Sequence, residues 1–446
     1  MSERLRPRPL PAWVEPTTVF RKLEAEVDDV FWLDAGTGAA EGWSFVGTGE
    51  RSALGEDVRL DVSAVTAADT GIAEVTPPFV GGWVGWRDYE RGARDAGAPV
   101  NTDGGDERPS WLRATRVVAF DHAAKRAWTL STDEDADEWT AVVERATAPT
   151  PSRGAGRSDT PTRIAEAGHD PREYGDLIER CRALIRAGTA YQLCLTTRFT
   201  VAGDHDAVAV YERLRAATPA HHGGFVRIGG RALLSASPEQ FLQSAGGVIR
   251  TRPIKGTRPR HADPQKDAAL AAELATDPKE RAENVMIVDL MRNDLSQVCV
   301  PGSIRVDALW KVESYPAVHQ LVSTVSGTAA EGLTVGALLM AAFPAGSMTG
   351  APKLSAMTRL HELEGGPRGI YAGCFGYVGI DGALDLAMVI RSIVIDGGEA
   401  VVGAGGGITW GSIAAAEVAE VATKARAPLA ALGAEMPVPW RSDILS

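Results

Sequence analysis

His221–Ser237 reads HHGGFVRIGGRALLSAS. Two β-prone runs flank Gly229–Gly230, and a glycine pair between such runs predicts a tight hairpin, because the favoured two-residue turn needs positive φ at both central positions. A hairpin makes its strands antiparallel neighbours. The same signal recurs where GIYAGCFGYVGID (369–381) and LDLAMVIRSIVID (384–396) read as two strands meeting at Asp381–Gly382. Helical patterns interrupt these hairpins. PREYGDLIERCRALIRAGTA (171–190) carries Leu177, Ile178, Cys181, Leu184 and Ile185 at helical spacing, and YQLCLTTRFTV (191–201) follows as a strand. DPKERAENVMIVDLMRND (277–294) opens a helix with Asp277 as N-cap, Pro278 at the first position and Glu280 at the third. SIAAAEVAEVATKARAP (412–428) is a helix expected to stop before Pro428. Helices mixed with antiparallel hairpins predict an α+β fold rather than a doubly wound parallel sheet.

Further out, the texture changes. Residues 1–147 mix short β-type runs (VFWLDA, WSFVG, RVVAFDH, RAWTLST) with Gly and Asp turns. Residues 148–170, rich in Pro, Gly, Ser and Arg without apolar period, read as a long surface connection. Residues 171–432 form a densely patterned core, and 433–446 a tail. The first segment is expected to pack into the same body as the core.

The 446-residue chain is 44% apolar and 23% charged, ordinary for a soluble globular protein able to bury a large core. Its formal net charge of −12 argues against nucleic acid and anionic membranes as partners. Any anionic substrate then needs a locally positive site. The four cysteines (Cys181, Cys194, Cys299, Cys374) form no CxxC pair and read as buried free thiols of a cytoplasmic protein. Met1–Pro16 carries arginines without a following apolar run, which argues against a signal peptide. No apolar run approaches the ~18 residues of a membrane span.

Two glycine-rich stretches resemble nucleotide loops and fail. GAGGGI (403–408) has isoleucine where GxGxxG needs glycine, and in GSMTGAPK (346–353) proline, not glycine, precedes the lysine. Bare glycine backbone can still approach an anion closely.

Glu280 with Glu283, and Glu417 with Glu420, lie three apart on two predicted helices, so each pair shares a helix face. One glutamate from each helix would suit Mg²⁺, which takes one or two protein carboxylates plus water and substrate oxygens. From spacing alone, four solvated surface glutamates explain the pattern equally well. Lys255, in RPIKGTRPR, reads either as a surface residue or as an amine nucleophile. The second role needs a lowered pKa, since only about 0.1% of an ordinary lysine is neutral near pH 7.4. Burial and the neighbours Arg252 and Arg258 are expected to lower it.

The ordered set YQLCLTTRF, SASPEQF, PIKGTRPR, AENVMIVDLMRNDL, VHQLVSTVSG, GSMTGAPK, GIYAGCFGY and AGGGI, followed by the C-terminal Glu helix, resembles the chorismate-binding enzymes. That family includes the aminating, isomerising and salicylate-forming users of chorismate. The resemblance runs from about Pro171 to Lys424, with WLDAG, GWSFVG and PFVGGWVGW as weaker matches before it. It implies two antiparallel sheets packed as a sandwich with surrounding helices and the site between them. It implies Mg²⁺ on Glu283 and Glu420, with Glu280 and Glu417 acting through water or orienting the ligands. Tyr371, Arg391 and the Gly405 backbone would grip the enolpyruvyl carboxylate, Lys424 would lie near the metal, and Thr257 would contact substrate. Glu239 would be the general acid at the C4 hydroxyl.

Two residues then narrow the reaction. Family members that add water carry lysine at the place of Gln192, and those that add ammonia carry glutamine. PIKGT, with Lys255, is similar to the 4-aminating members, and PIAGT to the anthranilate synthases. The resemblance therefore implies conversion of chorismate and ammonia to 4-amino-4-deoxychorismate for p-aminobenzoate and folate synthesis. Its alternatives are 2-amination with pyruvate loss and a non-catalytic chorismate-binding protein. Ammonia is expected from a separate glutamine amidotransferase subunit. One departure stands out: Gln320 occupies the place of a histidine found in several members, and His319 lies one residue earlier. A one-residue shift on a strand points His319 to the opposite face.

Overall fold

The structure, a computed structural model, describes residues 4–62, 76–100, 108–146 and 163–441. Most of the connection expected at 148–170 and the end of the 433–446 tail lie outside the described residues.

Gly229 and Gly230 have φ of 61° and 85°, and they join His222–Ile228 to Arg231–Ser237 in an antiparallel pair. From this hairpin the hydrogen bonding spreads both ways. One side runs through Val30–Asp34 to Trp43–Ser52. The other runs through Ser392–Asp396 and Glu399–Ile408 to Gln192–Ala202. A second arm runs from Gly82–Arg87 through Cys374–Gly379, Leu384–Met388 and Gln240–Ala245 to Val248–Thr251 and Val318–Thr328. The strand Trp111–Asp121 pairs with both Trp43–Ser52 and Gly82–Arg87. The two expected sheets are therefore two antiparallel arms of one continuous network.

The arms face each other across an apolar layer. Phe45 of one arm meets Tyr377 of the other with ring centroids 5.6 Å apart, and Phe31, Trp86, Val226 and Phe375 fill the same layer. A Cβ on Gly224 would stand 2.5 Å from the Phe375 ring, so the arms approach as closely as backbone allows. Strands of the first segment thus contribute to the same core as strands of the last.

Helices cover the outer faces. Pro171–Arg186 begins with a complete capping box, the Asp170 side chain accepting from Arg172 and Glu173 N–H while Glu173 reaches back. Asp277 caps Pro278–Ser296 by accepting from Lys279 and Glu280 N–H.

Two boundaries differ from expectation. LDLAMVIRSIVID is not one strand: it breaks between Met388 and Ser392, where Arg391 has φ of 52°. The last helix does not stop before Pro428 but spans Ala414–Ala431 with the proline inside. Proline there removes one backbone donor near the helix end, and the buried face of Val418, Val421, Ala425 and Leu429 outweighs that loss. The four cysteines are buried and free. Among the described residues no helix is long and apolar enough to cross a membrane.

Candidate functional site

A cavity of about 400 Å³ opens where the strands Ile254–Pro259, Val318–Thr328 and Glu399–Ile408 converge, beneath the helices Pro278–Ser296 and Ala414–Ala431. Its lining brings together Glu239, Lys255, Thr257, Tyr371, Arg391 and Gly405 with Glu280, Glu283, Glu417, Glu420 and Lys424. Residues spread over nearly two hundred positions thus face one space.

Glycine makes the approach possible. Gly403 to Gly407 form one wall, interrupted only by Ala404. A Cβ on Gly403 would stand 2.1 Å from Tyr371 Cγ, and one on Gly406 would stand 3.1 Å from Glu417 Oε2. Lys424 Nζ donates to the Gly405 carbonyl at 2.8 Å and pairs with Glu420 at 2.7 Å. The AGGGI stretch is therefore a low wall against which the acidic helix lies.

Lys255 is aimed by its neighbour. Gly256, with φ of 75°, is the extra residue of a bulge: Lys255 pairs with Leu321 and Thr257 with Gln320, with nothing opposite the glycine. The Lys255 amine then lies 3.4 Å from Glu283 Oε2, and its side chain is only 15% exposed. Burial alone would pull its pKa down. Glu283, with Glu239 and Glu420 further off, outweighs burial and holds it above the ordinary lysine value. This corrects the expectation of a lowered pKa. Arg252 is engaged by Glu313 at 2.7 Å, and Arg258 by Glu273 at 2.8 Å and Asp277 at 3.0 Å. Neither arginine is left to repel the amine.

Glu239 is buried, and burial pushes its carboxyl up to about 7, although Lys255, a hydrogen bond with Ser347 and Lys424 pull it down. It is therefore a neutral acid well above ordinary carboxylate pH. Burial also raises Glu280, helped by the like charge of Glu283, and raises Glu417. Burial would raise Glu420 too, but Lys424, Lys255 and Lys279 outweigh it and hold that carboxyl low.

Positive charge balances the other end. Burial pulls the Arg391 guanidinium down, and it makes no ion pair among the described residues. Arg391 has left-handed backbone at the strand break and lines the cavity with Tyr371.

Gln192 does not reach the cavity wall. It is fully buried beside Gly407, and both its amide atoms lack hydrogen-bond partners. A Cβ on Gly407 would stand 2.8 Å from Gln192 Nε2 and 3.2 Å from Lys255 Nζ, so the amide and the amine flank the space that this glycine leaves open. Gln320 lines the cavity, whereas His319 turns away and bonds Ser314 at 2.8 Å and Asp267 at 3.0 Å. Strand alternation thus puts the pair on opposite faces.

Sequence reasoning missed two residues. Ser347, in the GSMTG loop, touches Glu239. Lys279 lines the cavity, 3.6 Å from Glu283 and 3.8 Å from Glu417. Its signal was legible: it sits one turn before Glu283 on the same helix face.

The acids suit a divalent ion in a specific way. Among the described residues no three acidic, histidine or cysteine side chains already converge as a ready-made cage. Magnesium does not require one, since it keeps waters and substrate oxygens beside one or two carboxylates. Glu283 Oε1 is buried without a hydrogen-bond partner, an acceptor that no donor satisfies. Glu283 with Glu420, backed by Glu280 and Glu417, fits such an ion.

The family described as chorismate binding enzyme matches residues 29–430. An aminodeoxychorismate synthase of Streptomyces pristinaespiralis is 38% identical over 96% of this chain, which spans 65% of that relative's length. Component 1 of the aminodeoxychorismate synthase of Klebsiella aerogenes is 40% identical, with 78% of this chain and 76% of that one covered. Among solved structures, anthranilate synthase component I from Streptococcus pneumoniae TIGR4 superposes with a TM-score of 0.71 at 27% identity, over 88% of this chain and 93% of that one. A match across most of the chain places this protein in the family of chorismate-binding enzymes.

Proposed function

We propose that this protein aminates chorismate at C4, giving 4-amino-4-deoxychorismate, as the aminating component of an aminodeoxychorismate synthase. The observation that carries the reading is a buried lysine amine sharing one small cavity with a buried, protonatable Glu239. A 2-aminating enzyme has no use for an amine competing for ring C2.

A magnesium ion held by Glu283 and Glu420 would supply a positive anchor for the ring carboxylate. Arg391 and Tyr371 would receive the enolpyruvyl carboxylate, and an acidic protein would then take up a dianion through positive groups focused inside the cleft. Desolvation then acts on Lys255 once the charge of Glu283 is engaged elsewhere, and lowers its pKa toward the neutral amine. The Lys255 nitrogen bonds to ring C2, the two ring double bonds shift, and the C4–O bond breaks. Glu239 delivers its proton to the departing oxygen, which leaves as water. Ammonia bonds to C4, the double bonds shift back, and the C2–N bond breaks, returning the pair of electrons to Lys255. The added nitrogen loses a proton, which restores Glu239. Gln192 contributes no basic group, and ammonia needs none because it is already nucleophilic. The ammonia is assigned to a glutamine amidotransferase partner.

Incubating the protein with chorismate, Mg²⁺ and ammonium salt tests the reading. A 4-amino product that keeps its enolpyruvyl group supports it. Fluorescent anthranilate with released pyruvate makes the protein a 2-aminating enzyme instead, and unchanged chorismate makes it a binder.

A further inference from the structure

Lys279 occupies an unfavourable place for a cation. It is the second residue of its helix, where the backbone N–H groups present the positive end of the dipole. Its ammonium nevertheless turns into the cavity and stands between two helices, 3.6 Å from Glu283 Oε1 and 3.8 Å from Glu417 Oε1. Glu283 Oε1 has no hydrogen-bond partner, so this loose electrostatic contact is the neutralisation it has on that side. The two carboxylates are nearly covered, with side chains 12% and 5% exposed, whereas the Lys279 side chain is 55% exposed. The acids are fixed and the cation is on a flexible stem at the mouth. Both contacts exceed hydrogen-bond length, so leaving costs Lys279 little beyond screened Coulomb attraction.

We propose that Lys279 is a tethered counter-ion that holds the acid cluster in its metal-free form and swings out to water when a divalent ion enters between the helices. The inference rests on the reading of Glu283 and its neighbours as a magnesium site. It makes Lys279 a positioning residue: it competes with the ion, keeps the helices together without it, and sets the concentration at which the ion binds. Two part-exposed contacts are lost on ion entry, which corresponds to an affinity weakened by about tenfold relative to a site lacking the lysine.

The experiment is Mg²⁺ titration of the full chain by calorimetry, with and without chorismate and with ammonia omitted, on the wild type, Lys279→Met, Lys279→Arg and Glu283→Gln. Thermal unfolding of each, with and without Mg²⁺, gives a second readout. The expected result is about tenfold tighter Mg²⁺ binding by Lys279→Met, a lower melting temperature for it in the metal-free state, and wild-type behaviour for Lys279→Arg. The affinity difference should shrink at high salt, where a tethered charge is screened. Unchanged or weaker Mg²⁺ binding by Lys279→Met, with Glu283→Gln still impaired, overturns the counter-ion role and leaves the magnesium site standing. No Mg²⁺ response in the wild type overturns both.

Discussion

The Lys255 amine lies 3.4 Å from the Glu283 carboxylate, two largely buried side chains contributed by a strand and a helix. In the free protein this contact keeps the amine protonated. The same carboxylate is half of the proposed metal site. One acid therefore connects ion binding to the readiness of the nucleophile.

Lys255→Ala should lower 4-amination by about 10²-fold or more, the scale of losing one group that acts on the reacting atoms. Chorismate affinity, carried by Arg391 and the acid cluster, should change little. Steady-state rates together with equilibrium chorismate binding separate the two. Near-normal turnover would remove the covalent step.

Glu239 must carry a proton to release the C4 oxygen, and burial keeps that proton on up to about pH 7. A raised carboxyl pKa leaves the acid form populated below about 7 and empties it above. Turnover measured at constant free ammonia should fall on the acid side, where the Lys255 amine takes up a proton, and fall about tenfold per unit on the basic side, where Glu239 loses its own. Glu239→Gln should lower turnover and erase that limb. A limb that survives in the variant would assign it to another group.

Chelation should abolish amination, and restored Mg²⁺ should recover it. At an ion concentration about 100 times its dissociation constant, binding should stabilise the fold by about 2.7 kcal/mol. Glu283→Gln and Glu420→Gln should each weaken that stabilisation, read from melting curves with and without Mg²⁺. Equal melting with and without the ion in the wild type would remove the metal from the site.

Gly403→Ala should destabilise the protein by about 1–3 kcal/mol, because the new Cβ meets the buried Tyr371 ring at 2.1 Å and must displace it. Displacing Tyr371 should also raise KM for chorismate. Unfolding midpoints and KM values together check this. Wild-type values for both would mean that the glycine wall is not needed.

His319→Leu should leave turnover within about twofold while costing about 1 kcal/mol of stability, since it removes the buried imidazole's hydrogen bonds to Ser314 and Asp267. Gln320→Ala, on the cavity side of the same strand, should raise KM instead. The opposite pattern would reverse their assignment to the two faces.

Much of this protein was legible along the chain because its signals are local. The glycine pair at 229–230 defines a hairpin whatever surrounds it, and Asp277 caps its helix through atoms two and three residues away. Three-residue spacing puts Glu280 with Glu283, and Glu417 with Glu420, on shared faces, and strand alternation separates His319 from Gln320. Ordered motifs sufficed to indicate the family.

What only the tertiary structure decided is which charges meet. Arg252 and Arg258 flank Lys255 in sequence, yet they turn to Glu313, Glu273 and Asp277, and the amine's nearest charged partner comes from a helix almost thirty residues on. Gln192 shares with Lys255 the space left by Gly407, and Lys279 comes within 3.8 Å of Glu417 on the facing helix. The physical reason is that electrostatic interaction falls with distance through space and with solvent access, and neither is set by separation along the chain. Local geometry chose the groups, and packing chose their partners and hence their protonation.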